Sequence, residues 1–129
     1  MLYSPLAFFR LNVSREATVE ELVEAWRPWI SKIEELKSLH QKPVVFTESG
    51  VVSQAGSFRY PWRPEQETEL DLNAQYIYYL ATCQVSSGVI DGIYWWYIDL
   101  NVPQNPEEDT GFSPLRKPAE DVIKDYFRR

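Results

Sequence analysis

Two short apolar runs, each ending in charged or aromatic residues, alternate with stretches of helical spacing along this chain. The first runs Pro43-Val44-Val45-Phe46-Thr47 straight into Glu48-Ser49-Gly50. Its length, β-branched content and flanking Pro and Gly read as a buried strand. The second is Val89-Ile90-Asp91-Gly92-Ile93-Tyr94-Trp95-Trp96-Tyr97-Ile98. A third candidate strand opens the chain at Leu6-Ala7-Phe8-Phe9-Arg10-Leu11-Asn12. Between them, Thr18-Val19-Glu20-Glu21 has the form of a capping box, in which hydroxyl and carboxylate satisfy amides at a helix start. Leu22, Trp26, Trp29, Ile30, Ile33 and Leu36 then recur near the 3.6-residue period, so a helix is expected to about Leu39. Pro28 lies inside it and predicts a kink or two abutting helices. A second helix is expected from roughly Glu65 to Ser86, with Leu70, Ala74, Ile77, Ala81 and Cys83 or Gln84 on its inner face and Ser87-Gly88 ending it. A third starts near Pro118, a residue suited to the first helical position, and should bury Val122, Ile123, Tyr126 and Phe127. Loops fall at Ser53 to Pro64, which holds Phe58, Tyr60 and Trp62, and at Asp99 to Pro114.

Strand, helix, strand, helix, strand, helix implies parallel pairing by right-handed crossovers. The chain has 129 residues, one domain at most, whereas a complete eight-stranded α/β barrel takes roughly 250. Such barrels keep their chemistry at the C-terminal ends of the strands. Glu48 sits at such an end, which makes it a candidate nucleophile or acid/base. The plainer reading is a strand-end glutamate that pairs with a base or caps a helix.

Composition adds little to this picture. The chain is 44% apolar and 15% aromatic, enough for a core. The five Trp and eight Tyr fit either an aromatic core or a cleft whose rings stack on sugars; composition alone favours the core. A net charge of −6 argues against nucleic acid and anionic membrane as partners. The sequence contains no transmembrane run. No signal peptide is read at Met1-Leu2-Tyr3-Ser4-Pro5, so a cytoplasmic location is the default expectation. Cys83 is the single cysteine and reads as a small buried hydrophobe. His40 is also alone, at a helix end, which argues against a metal or triad role. Glycine-rich phosphate loops are missing, so no nucleotide motif is present. The Glu16, Glu20, Glu21, Glu24 series is a solvated helix face.

Several segments occur together in one family. Lys42 to Gly50, then Tyr60-Pro61-Trp62, then Gly92-Ile93-Tyr94-Trp95-Trp96, then Asp109-Thr110-Gly111-Phe112-Ser113-Pro114 with Lys117-Pro118-Ala119-Glu120 resemble the C-terminal end of glycoside hydrolase family 113. Trp26-Arg27-Pro28-Trp29 is similar to part of the helix after that family's sixth strand. The resemblance implies an α/β fold, a partial (β/α)8 TIM barrel made of the last three βα units, strands six to eight, all parallel. It implies retaining hydrolysis of a β-mannan or similar β-linked oligo- or polysaccharide, with no metal or organic cofactor. Glu48 matches the catalytic nucleophile at the end of strand seven. Trp95 and Trp96 match the strand whose ring floors the sugar subsite; side chains alternate along a strand, so at most one faces the cleft, and Trp96 is preferred. Tyr60 and Trp62 are cleft aromatics or loop anchors. Asp99 binds a sugar hydroxyl or is a solvated strand-end acid, the second being preferred.

One expected group is missing. The family's acid/base lies on strand four, before the point where this chain starts. Double displacement needs two carboxyl groups about 5–5.5 Å apart. Asp91 is at the wrong end of its strand, Asp99 is close to Trp96 rather than opposite Glu48, and Glu107, Glu108 and Asp109 lie in a loop. Three parallel strands also leave unpaired edges and an uncovered face. The chain is therefore expected to pair with an N-terminal half-barrel, to form a homo-oligomer, or to be a segment of a longer polypeptide. The alternative function is a non-catalytic carbohydrate-binding or assembly subunit.

Overall fold

The computed structural model describes the backbone of residues 2–3 and all of residues 10–61 and 69–128. Three strands, β1 (Leu2–Tyr3), β2 (Val45–Ser49) and β3 (Gly92–Trp95), alternate with three helices, α1 (Val19–His40), α2 (Leu72–Ser86) and α3 (Pro118–Phe127). The sheet order is β1-β2-β3 and both pairings are parallel. Leu2 lies opposite Val45 and Tyr3 opposite Phe46. Val45 lies opposite Gly92 and Phe46 opposite Ile93.

The first strand differs from its expectation. Residues 6–9 of that expectation lie outside the described residues, Arg10 to Asn12 are irregular, and the stretch that pairs with β2 is Leu2–Tyr3. Leu11 is fully buried all the same, so its apolar character serves the core from a loop. Helix α1 begins as its sequence dictates: Thr18 accepts from the Glu21 amide and the Glu21 carboxylate accepts from the Thr18 amide. Pro28 neither splits nor ends it, because one helix runs unbroken from Val19 to His40. The ring sits on the solvent side, where a lost amide bond is open to water. Helix α2 starts later than expected. Asp71 caps it by accepting from the Ala74 amide, and Leu70 instead bridges Gln54 before the helix begins. Phe127, expected inside, is exposed at the end of α3.

All three helices belong to one side of the sheet. Trp26 of α1 stacks on Phe46 of β2, with ring centroids 5.9 Å apart. Tyr79 of α2 stacks on Trp95 of β3 at 4.2 Å and 13°. Such aromatic pairs add about 0.5–1.5 kcal/mol beyond their burial. Ile93 joins the same apolar core, along with Leu22, Ile33, Ile77, Ala119 and Val122. Cys83 is buried in it as a small hydrophobe. The opposite face is uncovered among the described residues, and there Tyr94 is 67% exposed. No described helix is long and apolar enough to cross a membrane.

At the N-terminal end of the strands one carboxylate ties the layers together. Asp91 accepts from the Val44 amide and from Lys37 Nζ, both at 2.8 Å, and Lys37 also donates to the Val89 carbonyl. The Asp91 amide in turn donates to the Val44 carbonyl. The Lys37 ammonium and then the Val44 amide hold the Asp91 carboxyl below its usual range. A lowered carboxyl pKa contributes stability above the unfolded value, and that contribution is lost as pH falls through the folded one. Replacing Asp91 by Asn should therefore lower the urea midpoint at neutral pH. The gap should narrow below about pH 3.9 and close once the pH drops past the folded value; a gap independent of pH would rule out this charge effect.

Candidate active site

Strand β2 carries one residue more than β3 between two matched points. Phe46 pairs with Ile93, yet Ser49 pairs with Trp95, so three steps on one strand meet two on the other. This β-bulge changes which way the last side chains point. Phe46 faces the helices through Trp26. Ser49, an odd number of residues later, faces them too: it is fully buried, and its Oγ lies 3.2 Å from the Tyr78 hydroxyl of α2. Regular alternation would have sent Glu48 to the same side as Phe46. The extra residue breaks that alternation, and Glu48 stands half-buried beside the helix-facing Ser49. Bulges recur next to active sites because they re-aim a side chain in this way.

The anchor beneath Glu48 stays neutral. Burial pushes the Tyr78 hydroxyl up to about 12, outweighing the opposing contacts with Ser49, Thr82 and the Gly50 backbone. It is a fixed hydrogen-bonding group at any working pH.

The neighbouring strand end supplies the aromatic partner. The Trp96 amide donates to the Ser49 carbonyl at 2.8 Å. Gly50 lies so close to it that a Cβ there would meet the Trp96 carbonyl oxygen at 2.1 Å. No other residue type fits that position without moving the strand ends apart. The Trp96–Tyr97 peptide is cis. Trp95 turns its ring onto Tyr79 under the helices, and Trp96, next in the chain, is 45% exposed. Behind it Tyr97 packs edge-on at 5.7 Å, and Tyr97 meets Phe112 of the following loop at 5.9 Å. Glu48 and Trp96 thus belong to adjacent strand ends.

Of the remaining expected site residues, Tyr60 and Asp99 are among those described. Tyr60 is half-buried in the loop after a 3₁₀ turn at Ser57–Arg59. Its ring has the Arg10 guanidinium at 5.1 Å and that of Arg59 at 5.6 Å, and its hydroxyl accepts from Arg10. Trp62 lies outside the described residues. The Asp99 carboxylate accepts from the Asn101 amide, and the Asp99 amide donates to Ser113 Oγ. That is a turn-forming arrangement.

Sequence reasoning missed two features. The bulge has no signature beyond the small pair Ser49-Gly50 after the acid. Lys117, noted only as part of a family-like segment, has nothing in its local sequence that marks it as buried, yet it is buried and ties two loops together.

The described architecture matches known proteins. A family model for Glycoside Hydrolase Family 113 fits residues 7–117. The chain belongs to that family. Two solved structures of family 113 β-1,4-mannanases superpose with a TM-score of 0.72, at 24% and 25% identity over 82% of this chain. A third, the β-mannanase AaManA from Alicyclobacillus acidocaldarius in complex with ManMIm, superposes with a TM-score of 0.68 at 23% identity. No curated protein sequence matches the chain. In each of these solved structures the likeness covers 36% of the relative's length, so the fold is a partial TIM barrel of the family.

The junction of Gly50 and Trp96 should tolerate no added methyl. Gly50→Ala is expected to destabilise the chain by about 1–3 kcal/mol, read as a lower urea midpoint. An unchanged midpoint would show that the strand ends are not held as described.

Proposed function

We propose that this chain is the nucleophile-bearing part of a retaining, β-mannanase-like glycoside hydrolase, with β1, β2 and β3 as barrel strands six, seven and eight. This reading takes the bulge to turn Glu48 to the open face; the observation that supports it is the register shift between Phe46 and Ser49, beside the strand end that carries exposed Trp96. A Glu48 carboxylate oxygen attacks the anomeric carbon of a β-linked mannoside as the bond to the leaving oxygen breaks. The glycosyl-enzyme ester then yields to water, with retention. Trp96 offers its ring to the apolar face of the sugar, while Trp95 serves the core. Family membership and the β-mannanases among the structural relatives support the substrate class.

The leaving oxygen needs a proton, and the acid that supplies it lies outside the described residues. Asp91 is at the far end of β3 and bound to Lys37. Asp99 is committed to a turn, and Asp109 to Lys117. Glu108 accepts from Asn105 in a short 3₁₀ turn that also holds Glu107. A half-barrel bearing the remaining β/α units would supply that acid and cover both the open face and the free strand edges. These same facts favour a second reading, in which the chain binds β-linked sugars without cleaving them.

An activated substrate separates the two, because a dinitrophenyl leaving group departs without protonation. On dinitrophenyl β-mannoside, Glu48→Gln should lose turnover by roughly 10³-fold or more. The 2-deoxy-2-fluoro analogue should leave one sugar on the peptide containing Glu48 in the parent chain and none in the variant, by mass spectrometry. Turnover that survives the substitution would remove Glu48 from the nucleophile's role. Calorimetric binding of manno-oligosaccharides with no adduct would establish the binding-only reading.

A further inference from the structure

Lys117 stands apart among the cations described. Its side chain is 1% exposed, although burying an ammonium is costly unless its donors are all used. It donates to the Asp109 carboxylate at 2.7 Å, to Ser53 Oγ at 2.8 Å and to the Gly111 carbonyl at 3.2 Å. Burial pushes its pKa down, while Asp109 opposes that shift. The partners come from two different places. Ser53 is in the loop after β2, the strand of Glu48; Asp109 and Gly111 are in the loop after β3, the strand beside Trp96.

The same two loops are joined again around this point. The Ser53 amide donates to the Gly111 carbonyl, and Gln54 donates to that of Thr110. Gln75 of α2, fully buried, donates to the carbonyls of Val51 and Phe112 together. The segment so fixed ends in Phe112, whose ring meets Tyr97, which meets Trp96. A buried ion pair is weak support for stability by comparison with apolar side chains of the same size. Its directional bonds do fix how two loops sit against each other, and an apolar contact would not.

We propose that Lys117 is a positioning residue for the sugar-binding surface: it locks the loop after β3 onto the loop after β2, and so holds Phe112 behind Tyr97 and sets the orientation of Trp96. The part that concerns sugar rests on the glycoside hydrolase reading above; the part that concerns Trp96 does not.

Two readouts keep these parts separate. Lys117→Met alone strands Asp109 and should destabilise the chain. Lys117→Met with Asp109→Asn removes both charges and should recover most of the lost urea midpoint. In that double variant, labelled with 5-fluorotryptophan, the ¹⁹F resonance of Trp96 (assigned by its loss in Trp96→Phe) should shift or broaden while that of Trp26 stays in place. Binding of manno-oligosaccharides by calorimetry should weaken roughly tenfold. A Trp96 resonance that does not move in the refolded double variant would overturn the proposal, as would unchanged affinity in a chain that binds. A parent chain that binds no manno-oligosaccharide would overturn the sugar reading alone, and the Trp96 resonance would still decide the role of Lys117.

Discussion

Gly50 lies against the Trp96 carbonyl, and the geometry of the open strand ends follows from that contact. A strand end and its neighbour can approach this closely only where one of them has no side chain. The approach lets the Trp96 amide reach the Ser49 carbonyl, which continues the ladder past the bulge. Once Ser49 is held from the side by Trp96 and from below by Tyr78, Glu48 has a fixed base. The backbone beneath the acid and the indole is then locked from both strand ends.

The two ends of the sheet divide the work. At the N-terminal end, Asp91 and Lys37 pair charges with backbone groups of both strands and the last turn of α1. That arrangement holds layers together and presents nothing to a ligand. At the C-terminal end the polar groups point at loops and at the open face. α/β barrels separate stability and chemistry along the strand axis in this manner, and three of the units suffice to show it.

Much of the fold was legible because its signals are local. The capping box of Thr18 and Glu21, Pro118 at a first helical position, and the apolar run of β2 each act within a few residues. Where reading failed, tertiary context had overridden a local preference. Pro28 is tolerated because its ring faces solvent. Leu70 looks helical by spacing but is spent on a bridge to Gln54. Leu11 is apolar for a core that it enters from a loop. The site was legible in part for the same reason. Glu48 stands out as an acid closing an apolar run, but the register shift around it exists only relative to β3. The side of the sheet that Trp95 takes depends on Tyr79, sixteen residues earlier, and the role of Lys117 depends on partners in two other segments.

The bulge also bears on how this segment can change over generations. Substitutions between Phe46 and Ser49 alter a side chain and leave its direction intact. Loss of Thr47 would restore even pairing with β3 and place the acid directly after Phe46, opposite Tyr94 and deeper in the ladder. The length of this strand, which sets how far along β3 the acid stands, is thus as much a part of the site as the identity of its glutamate.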